Sequence, residues 1–114
     1  MEESQISQTA GKLVAQHFDI ELNTEAQLND QELFDMIADH VAWLIEYRLD
    51  YLLSMLYRLD VKEADISIAL SPGAPLPANI GLTQLILERQ KQRIRTKQDY
   101  KVSKLDDLEE GLEF

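Results

Sequence analysis

The chain contains no cysteine, and only three prolines and four glycines are found among its 114 residues. The absence of cysteine excludes disulfides, zinc–thiolate sites, iron–sulfur clusters and a thiol nucleophile. The four glycines are isolated, so a glycine-rich phosphate-binding loop is also excluded. A chain of this length can still bury roughly two thirds of its unfolded surface. We therefore expect one small domain with a single modest core.

Long hydrophobic runs are missing as well. The most apolar stretch, residues 41–61, is interrupted by five charged side chains, which a membrane span of about 20 residues would not carry. Residues 1–5 are acidic and polar, unlike an export signal. These features, with the lack of cysteine, predict a cytoplasmic protein that does not enter membranes.

Charge is the most informative feature that the chain does have. There are 21 acidic and 11 basic residues, a net charge of −10. Residues 1–60 carry −9, residues 61–88 carry −2, residues 89–104 carry +6 and residues 105–114 carry −5. A short basic segment thus lies between an acidic body and an acidic tip.

The apolar residues recur three and four positions apart, which is the helical period. We predict an all-α protein, a small bundle of four to five helices with a Pro-rich connector and a basic C-terminal helix. The helices are predicted at about 5–18, 30–47, 49–59, 61–70 and 78–99, with the three prolines in the connector 71–77. Residues 1–28 form an N-terminal segment with a possible first helix, 29–99 the helical domain and 100–114 an acidic flexible tail.

Local signals refine these boundaries. Asn29 and Asp30 can cap the second helix. The apolar residues before and after Arg48 would lie on different faces of one continuous helix, and this shift in phase predicts a break near Arg48. The spacing of Asp60 and Glu63 is typical of a capping box at the start of the fourth helix. Gly11 is expected to weaken the first helix.

Two short motifs in the sequence, LYRLDV at 56–61 and LILERQKQR at 85–93, are separated by the proline-containing connector. They resemble a group of small helical bacterial proteins of unassigned function. The resemblance spans about residues 30–100. It implies a small cytosolic bacterial helical domain and carries no activity, cofactor or catalytic residue.

Signals for catalysis are weak. No serine lies in a Gly-x-Ser-x-Gly elbow, and the residues three before His17 and His40 are Val14 and Ile37 rather than the carboxylates of a di-iron bundle. A looser metal site of Asp35, Asp39 and His40 is less favoured than a solvated helix face. We therefore predict that the protein is not an enzyme and has no catalytic residue, cofactor or metal.

Arginines and aromatic side chains occur in the apolar middle of the chain. Arg48 and Arg58 are interpreted as structural ion-pair partners of nearby carboxylates such as Asp50 and Asp60, in preference to ligand binding. Four aromatic residues are expected at the edge of the core or in a dimer seam: Trp43, Tyr47, Tyr51 and Tyr57.

The basic segment is the best functional candidate. Its predicted contact residues are Arg89, Lys91, Arg93, Arg95, Lys97 and Lys101. On a helix, Arg89, Arg93 and Lys97 share one arc, whereas Lys91 and Arg95 lie on another. Because the body is acidic, this segment fits an acidic protein surface better than a polyanion. The acidic tip could also fold back on it, and an unpaired, solvated helix end is the plain alternative.

The function favoured by these patterns is a non-catalytic protein-interaction or adaptor module, with an acidic protein partner or a second copy of itself. A seven-residue seam through Leu49, Leu52 and Leu56 is a candidate for self-association. The alternative function is nucleic-acid or polyanion binding through the same basic residues.

Overall fold

The structure of the chain, a computed structural model, describes residues 2–22 and 28–111, with side chains for residues 2–22 and 28–99. Five α-helices and no strand lie within these ranges, which confirms the all-α bundle. The helices are α1 (Glu3–His17), α2 (Asp30–Tyr47), α3 (Leu49–Arg58), α4 (Glu63–Leu70) and α5 (Ala78–Gly111). None of the described helices is both long and apolar enough to cross a membrane.

The start of α2 is fixed by the predicted cap. The Oδ1 atom of Asn29 accepts the backbone N–H of Glu32 at 2.8 Å, and the Glu32 carboxylate accepts the Asn29 N–H at 3.2 Å. This reciprocal pair satisfies two backbone donors that the first helical turn leaves free. The predicted break near Arg48 is also confirmed, since Arg48 leaves helical geometry with φ −143° and ψ 55°.

Helix α3 ends in a left-handed turn at Asp60, whose φ is 60°. The N–H of Val61 donates to the Leu56 carbonyl and that of Asp60 to the Tyr57 carbonyl, both at 3.1 Å. This pair of hydrogen bonds is a Schellman motif. Helix α1 ends in the same way at Asp19, with φ 56°. In both cases an aspartate occupies the position that glycine usually holds.

The predicted capping box at Asp60 is therefore wrong. Helix α4 begins at Glu63 with Lys62 as its N-cap, and no side chain caps it. Asp60 ends α3 with a left-handed backbone. The Asp60 side chain therefore does not cap the first turn of α4.

The core is built around α2 and the first half of α5. Helix α5 packs against α1, α2 and α4, and α2 also packs against α1 and α3. Leu82, Thr83 and Ile86 of α5 are buried. The buried Thr83 hydroxyl donates to the Asn79 carbonyl at 2.7 Å, and the Asn79 amide donates to the Ala38 carbonyl of α2 at 3.2 Å. These contacts fix the position from which the rest of α5 extends.

The proposed self-association seam is corrected by this packing. Leu52 and Leu56 have 0% exposure and belong to the core of a single chain. Only Leu49, at 40% exposure, stays accessible. The seven-residue spacing marks the face that α3 presents to its own bundle, so these leucines do not form an intermolecular seam.

Helix α5 continues to Gly111, beyond the predicted end at Asp99. No glycine or proline occurs between Gly81 and Gly111, so nothing in the backbone stops the helix. Residues 100–111 are thus helical where an irregular tail was expected, and residues 112–114 lie outside the described part. The flexibility of this segment stays a prediction.

Gly11 is needed where α1 meets α2. A Cβ atom at this position would lie 3.1 Å from Cδ1 of the buried Leu33. The glycine therefore permits close packing of the two helices, although it lowers intrinsic helix propensity.

We expect Gly11→Val to lower the free energy of unfolding by about 1–3 kcal/mol, because the added methyl groups overpack this contact. Gly81→Ala is the matched control. Its Cβ would meet Ala69 at an ordinary 3.6 Å, so it should raise stability by about 0.5–1 kcal/mol. Urea denaturation measures both; equal effects of the two variants would contradict the packing role of Gly11.

We expect Asp19→Gly to stabilise the protein by about 1 kcal/mol, because glycine adopts the left-handed conformation without steric cost. Asp39→Gly, inside α2, removes the same charge but should lower stability. Thermal unfolding followed by circular dichroism should show a higher midpoint for Asp19→Gly. A lower midpoint would mean that interactions of the Asp19 carboxylate stabilise the protein by more than the left-handed backbone at Asp19 destabilises it.

Candidate functional site

A groove of about 1190 Å³ lies between α1, α3 and α5. We call it the basic groove. Apolar side chains from all three helices line it, namely Leu13 of α1, Met55 of α3 and Ile94 of α5, together with Leu59 at the end of α3. The groove therefore offers apolar surface as well as charge.

Four basic side chains line the basic groove: Arg58, Arg89, Arg93 and Lys97. Its lining contains one carboxylate, Asp19, so the formal charge of the lining is +4 − 1 = +3. The whole chain carries −10. Positive charge is thus concentrated at one place on an otherwise acidic protein.

The positions of three of these cations follow from the sequence. Arg89, Arg93 and Lys97 are four residues apart, which places them on one face of α5. The predicted arc is confirmed, since all three line the same groove. Arg58 is the last residue of α3 and joins them from the opposite wall.

Arg89 is held in place by the end of α3. Its Nε donates to the Asp60 carbonyl at 3.2 Å, and its Nη2 lies 4.0 Å from the Asp60 carboxylate. Its Nη1 donates to Gln92 at 3.1 Å. The turn at Asp60 thus anchors one cation of the basic groove to α3.

Arg58, Arg93 and Lys97 are exposed, and their side chains have no hydrogen bond or ion pair within residues 2–22 and 28–99. The interpretation of Arg58 as a structural ion-pair residue is therefore wrong. The turn that follows Arg58 directs Asp60 to Arg89 instead. Three unpaired cations are available to a ligand in the basic groove.

The second arc of the basic segment is neutralised within the chain. Lys91 pairs with Glu88 at 3.4 Å, and Arg95 pairs with Glu3. A smaller groove of about 340 Å³ near Arg95 is lined by three acidic and three basic residues, so it has no net charge. The side chain of Lys101 lies outside the described residues. The two predicted arcs therefore differ: Lys91 and Arg95 are paired, whereas Arg93 and Lys97 have no partner among the described residues.

A row of rings runs from the core to the surface along α2. His40 meets the buried Phe18 edge to face at 6.0 Å and stacks on Trp43 at 6.4 Å, and Trp43 lies 5.3 Å from Tyr47. Trp43 and Tyr47 are about half exposed, at 52% and 61%. Phe18, His40, Trp43 and Tyr47 do not line the basic groove. The choice between the core edge and a dimer seam for the exposed rings stays a prediction.

The looser metal site of Asp35, Asp39 and His40, which the sequence disfavours, does not assemble. Among the described residues, no group of three or more histidines or carboxylates is placed to hold a metal ion. Asp35 instead accepts a hydrogen bond from Gln31 at 2.8 Å, and His40 lies between aromatic rings.

The first turn of α3 borders the basic groove through Tyr51. The Arg48 guanidinium lies 5.8 Å from the Tyr51 ring centre and its Nε lies 3.4 Å from the Asp50 carboxylate. The backbone N–H of Tyr51, and then Arg48, hold the pKa of Asp50 below its ordinary value of 3.8. Both partners are exposed, so the pair contributes little to stability.

Two residues of the basic groove could not be assigned from the sequence. Arg58 and His17 reach it only because the ends of α3 and α1 both lie at the groove beside α5. The sequence gives a partial indication for Arg58. This residue lies two positions before Asp60, where α3 is closed, and so occupies the exposed last turn of the helix.

Comparisons of this chain with models of protein families, with curated proteins and with solved structures found no match. The resemblance to small bacterial helical proteins therefore stays an expectation.

We expect Arg48→Gln to raise the pKa of Asp50 only part of the way to 3.8, because the Tyr51 N–H bond remains. Since the folded pKa is lowered, the stabilisation is present above pH 3.8 and is lost as the pH falls through the folded value. An NMR titration of the Asp50 carboxyl carbon measures this. Arg58→Gln should leave that pKa unchanged; an equal shift in both variants would contradict a local cause.

Proposed function

We propose that the protein is a non-catalytic protein-interaction module that binds an acidic, partly apolar protein segment in its basic groove. The observation that carries the proposal is the combination of unpaired cations with an apolar lining in one groove. Carboxylates of a partner would pair with Arg58, Arg93 and Lys97. Apolar side chains of the same partner segment would pack on Leu13 and Ile94.

The charge of the surrounding protein supports a protein ligand over nucleic acid. Outside the lining of the basic groove, the formal charge of the chain is −10 − 3 = −13. A long polyanion would extend over this acidic surface and be repelled, whereas a short segment would meet mainly the groove. A cytoplasmic location is part of the proposal, and the lack of cysteine supports it.

Fluorescence anisotropy with three labelled probes tests the proposal. The probes are a helix-forming peptide of leucines and glutamates, a poly-glutamate of equal length, and a short DNA duplex. We expect the leucine-containing peptide to bind at least about tenfold more tightly than poly-glutamate, because it also buries apolar surface. Raising salt from about 50 to 200 mM should weaken duplex binding most steeply.

The groove variant Arg58→Glu/Arg93→Glu/Lys97→Glu should lose at least about tenfold in peptide affinity. A variant of matched charge, Lys12→Glu/Lys62→Glu/Arg48→Glu, changes exposed cations outside the basic groove and should retain most of the affinity. Equal losses in both variants would contradict the proposal. Tighter binding of the duplex than of either peptide would favour the polyanion function instead.

A further inference from the structure

We propose that the exposed side of α2 docks an arginine-rich segment of another protein. We call this surface the acidic–aromatic face, and it consists of Asp35, Asp39, Trp43, Glu46 and Tyr47, all of which are exposed. It is a second surface, opposite in charge to the basic groove. The inference goes beyond the function proposed for that groove and does not depend on it.

Helical geometry places these five side chains on one side of α2. At about 100° per residue, Asp35, Asp39 and Glu46 fall within an arc of about 40°. Trp43 and Tyr47 follow at about 40° and 80° from Asp39. The buried residues of α2 centre on the opposite side of the helix, toward the core. One partner can therefore contact the carboxylates and the rings together.

The carboxylates of this face have no ion pair within the described part of the chain. Helix α2 carries five acidic residues and neither lysine nor arginine. The side chains of Asp39 and Glu46 make no hydrogen bond or ion pair within residues 2–22 and 28–99. Arg48, which follows α2, is paired with Asp50 and lies over Tyr51. Asp39 and Glu46 are therefore available to cations of a partner.

The rings beside these carboxylates are held by the core. His40 lies between the buried Phe18 and Trp43, and Trp43 lies against Tyr47 at 5.3 Å. Tyr47 ends the row, and no further ring or cation meets it among the residues whose side chains are described. The outer end of the row is thus a fixed aromatic surface that is open to a ligand.

Aromatic rings next to unpaired carboxylates favour arginine as the group that a partner supplies. Trp43 lies four residues after Asp39 and three before Glu46, the spacings at which side chains on a helix are neighbours. A guanidinium stacks on an aromatic ring and also forms paired hydrogen bonds to a carboxylate. A lysine ammonium is more strongly hydrated and lacks this planar shape. The net charge of −10 would also attract a basic partner.

Fluorescence anisotropy with two labelled peptides tests the inference on the full chain. One peptide contains arginine and alanine, and the other contains lysine and alanine at equal length and charge. We expect the arginine peptide to bind at least about threefold more tightly, because only its side chains stack on the rings. The emission of Trp43, the single tryptophan, should change with the same dissociation constant. Equal affinities, or an unchanged emission, would overturn the inference.

The ring variant Trp43→Ala/Tyr47→Ala should abolish the preference for arginine. Trp43→Phe/Tyr47→Phe retains both rings and should keep the preference. The control Tyr57→Ala/Ile68→Ala truncates two exposed apolar side chains of α3 and α4 and should also keep it. Circular dichroism should show the same helix content for all variants. A preference that survives in the ring variant, or that is lost in the control, would contradict the assigned surface.

The carboxylate variant Asp39→Asn/Glu46→Gln should weaken the binding of both peptides at least about fivefold. Its control, Glu63→Gln/Asp99→Asn, removes the same charge from exposed positions on α4 and α5 and should weaken binding less than about twofold. Equal losses in the two variants would show that net charge alone attracts the peptides, and the inference would then be wrong.

The groove variant Arg58→Glu/Arg93→Glu/Lys97→Glu distinguishes this face from the basic groove. It should bind the arginine peptide at least as tightly as the wild type does, and weaker binding would overturn the inference. If the acidic peptide fails to bind the groove while the arginine peptide binds as expected, only the proposed function fails. Sedimentation velocity tests the remaining occupant. Self-association that the groove variant abolishes would assign the face to the basic groove of a second copy and overturn the inference.

Discussion

The structure depends on the burial of the first half of α5. Leu82, Thr83 and Ile86 are enclosed by the bundle, and Asn79 joins the same end of the helix to α2. Because no glycine or proline follows until Gly111, the fixed half determines the direction of the other half. The rotation of α5 about its own axis is set in the core, and that rotation decides which cations face α1 and α3. The arrangement of cations at the surface thus follows from packing in the interior.

The parts of the fold that depend on local physics could be predicted from the sequence. The cap at Asn29 and the break at Arg48 are set by residues within a few positions of each other. The role of Asp60 could not be predicted, because its spacing to Glu63 suits a capping box and only the path of the chain after α3 gives it a left-handed backbone. The true end of α5 is not predicted from the sequence, because a high density of charge is typical of disorder, although the residues concerned are compatible with a helix.

The candidate site could be predicted only in part, because the sequence does not show how the helices pack against one another. The arc of Arg89, Arg93 and Lys97 follows from helical geometry, whereas the opposite wall with Arg58 requires knowledge of how α3 packs. Likewise, Leu52 and Leu56 have the pattern of an intermolecular seam, and the sequence cannot distinguish a partner helix in the same chain from one in another. Pairing of Arg95 with Glu3 joins residues at opposite ends of the chain, and no local pattern indicates such a contact.

The row of rings on α2 gives the protein an internal optical reporter. Trp43 is the single tryptophan, and it stacks on His40, whose ring also meets Phe18 at the end of α1. We therefore expect its emission to respond to the docking of α1 against α2. Trp43 does not line the basic groove, so a ligand there leaves its immediate surroundings intact. The docking of the N-terminal helix can be followed by fluorescence in the unlabelled protein, separately from events at the groove.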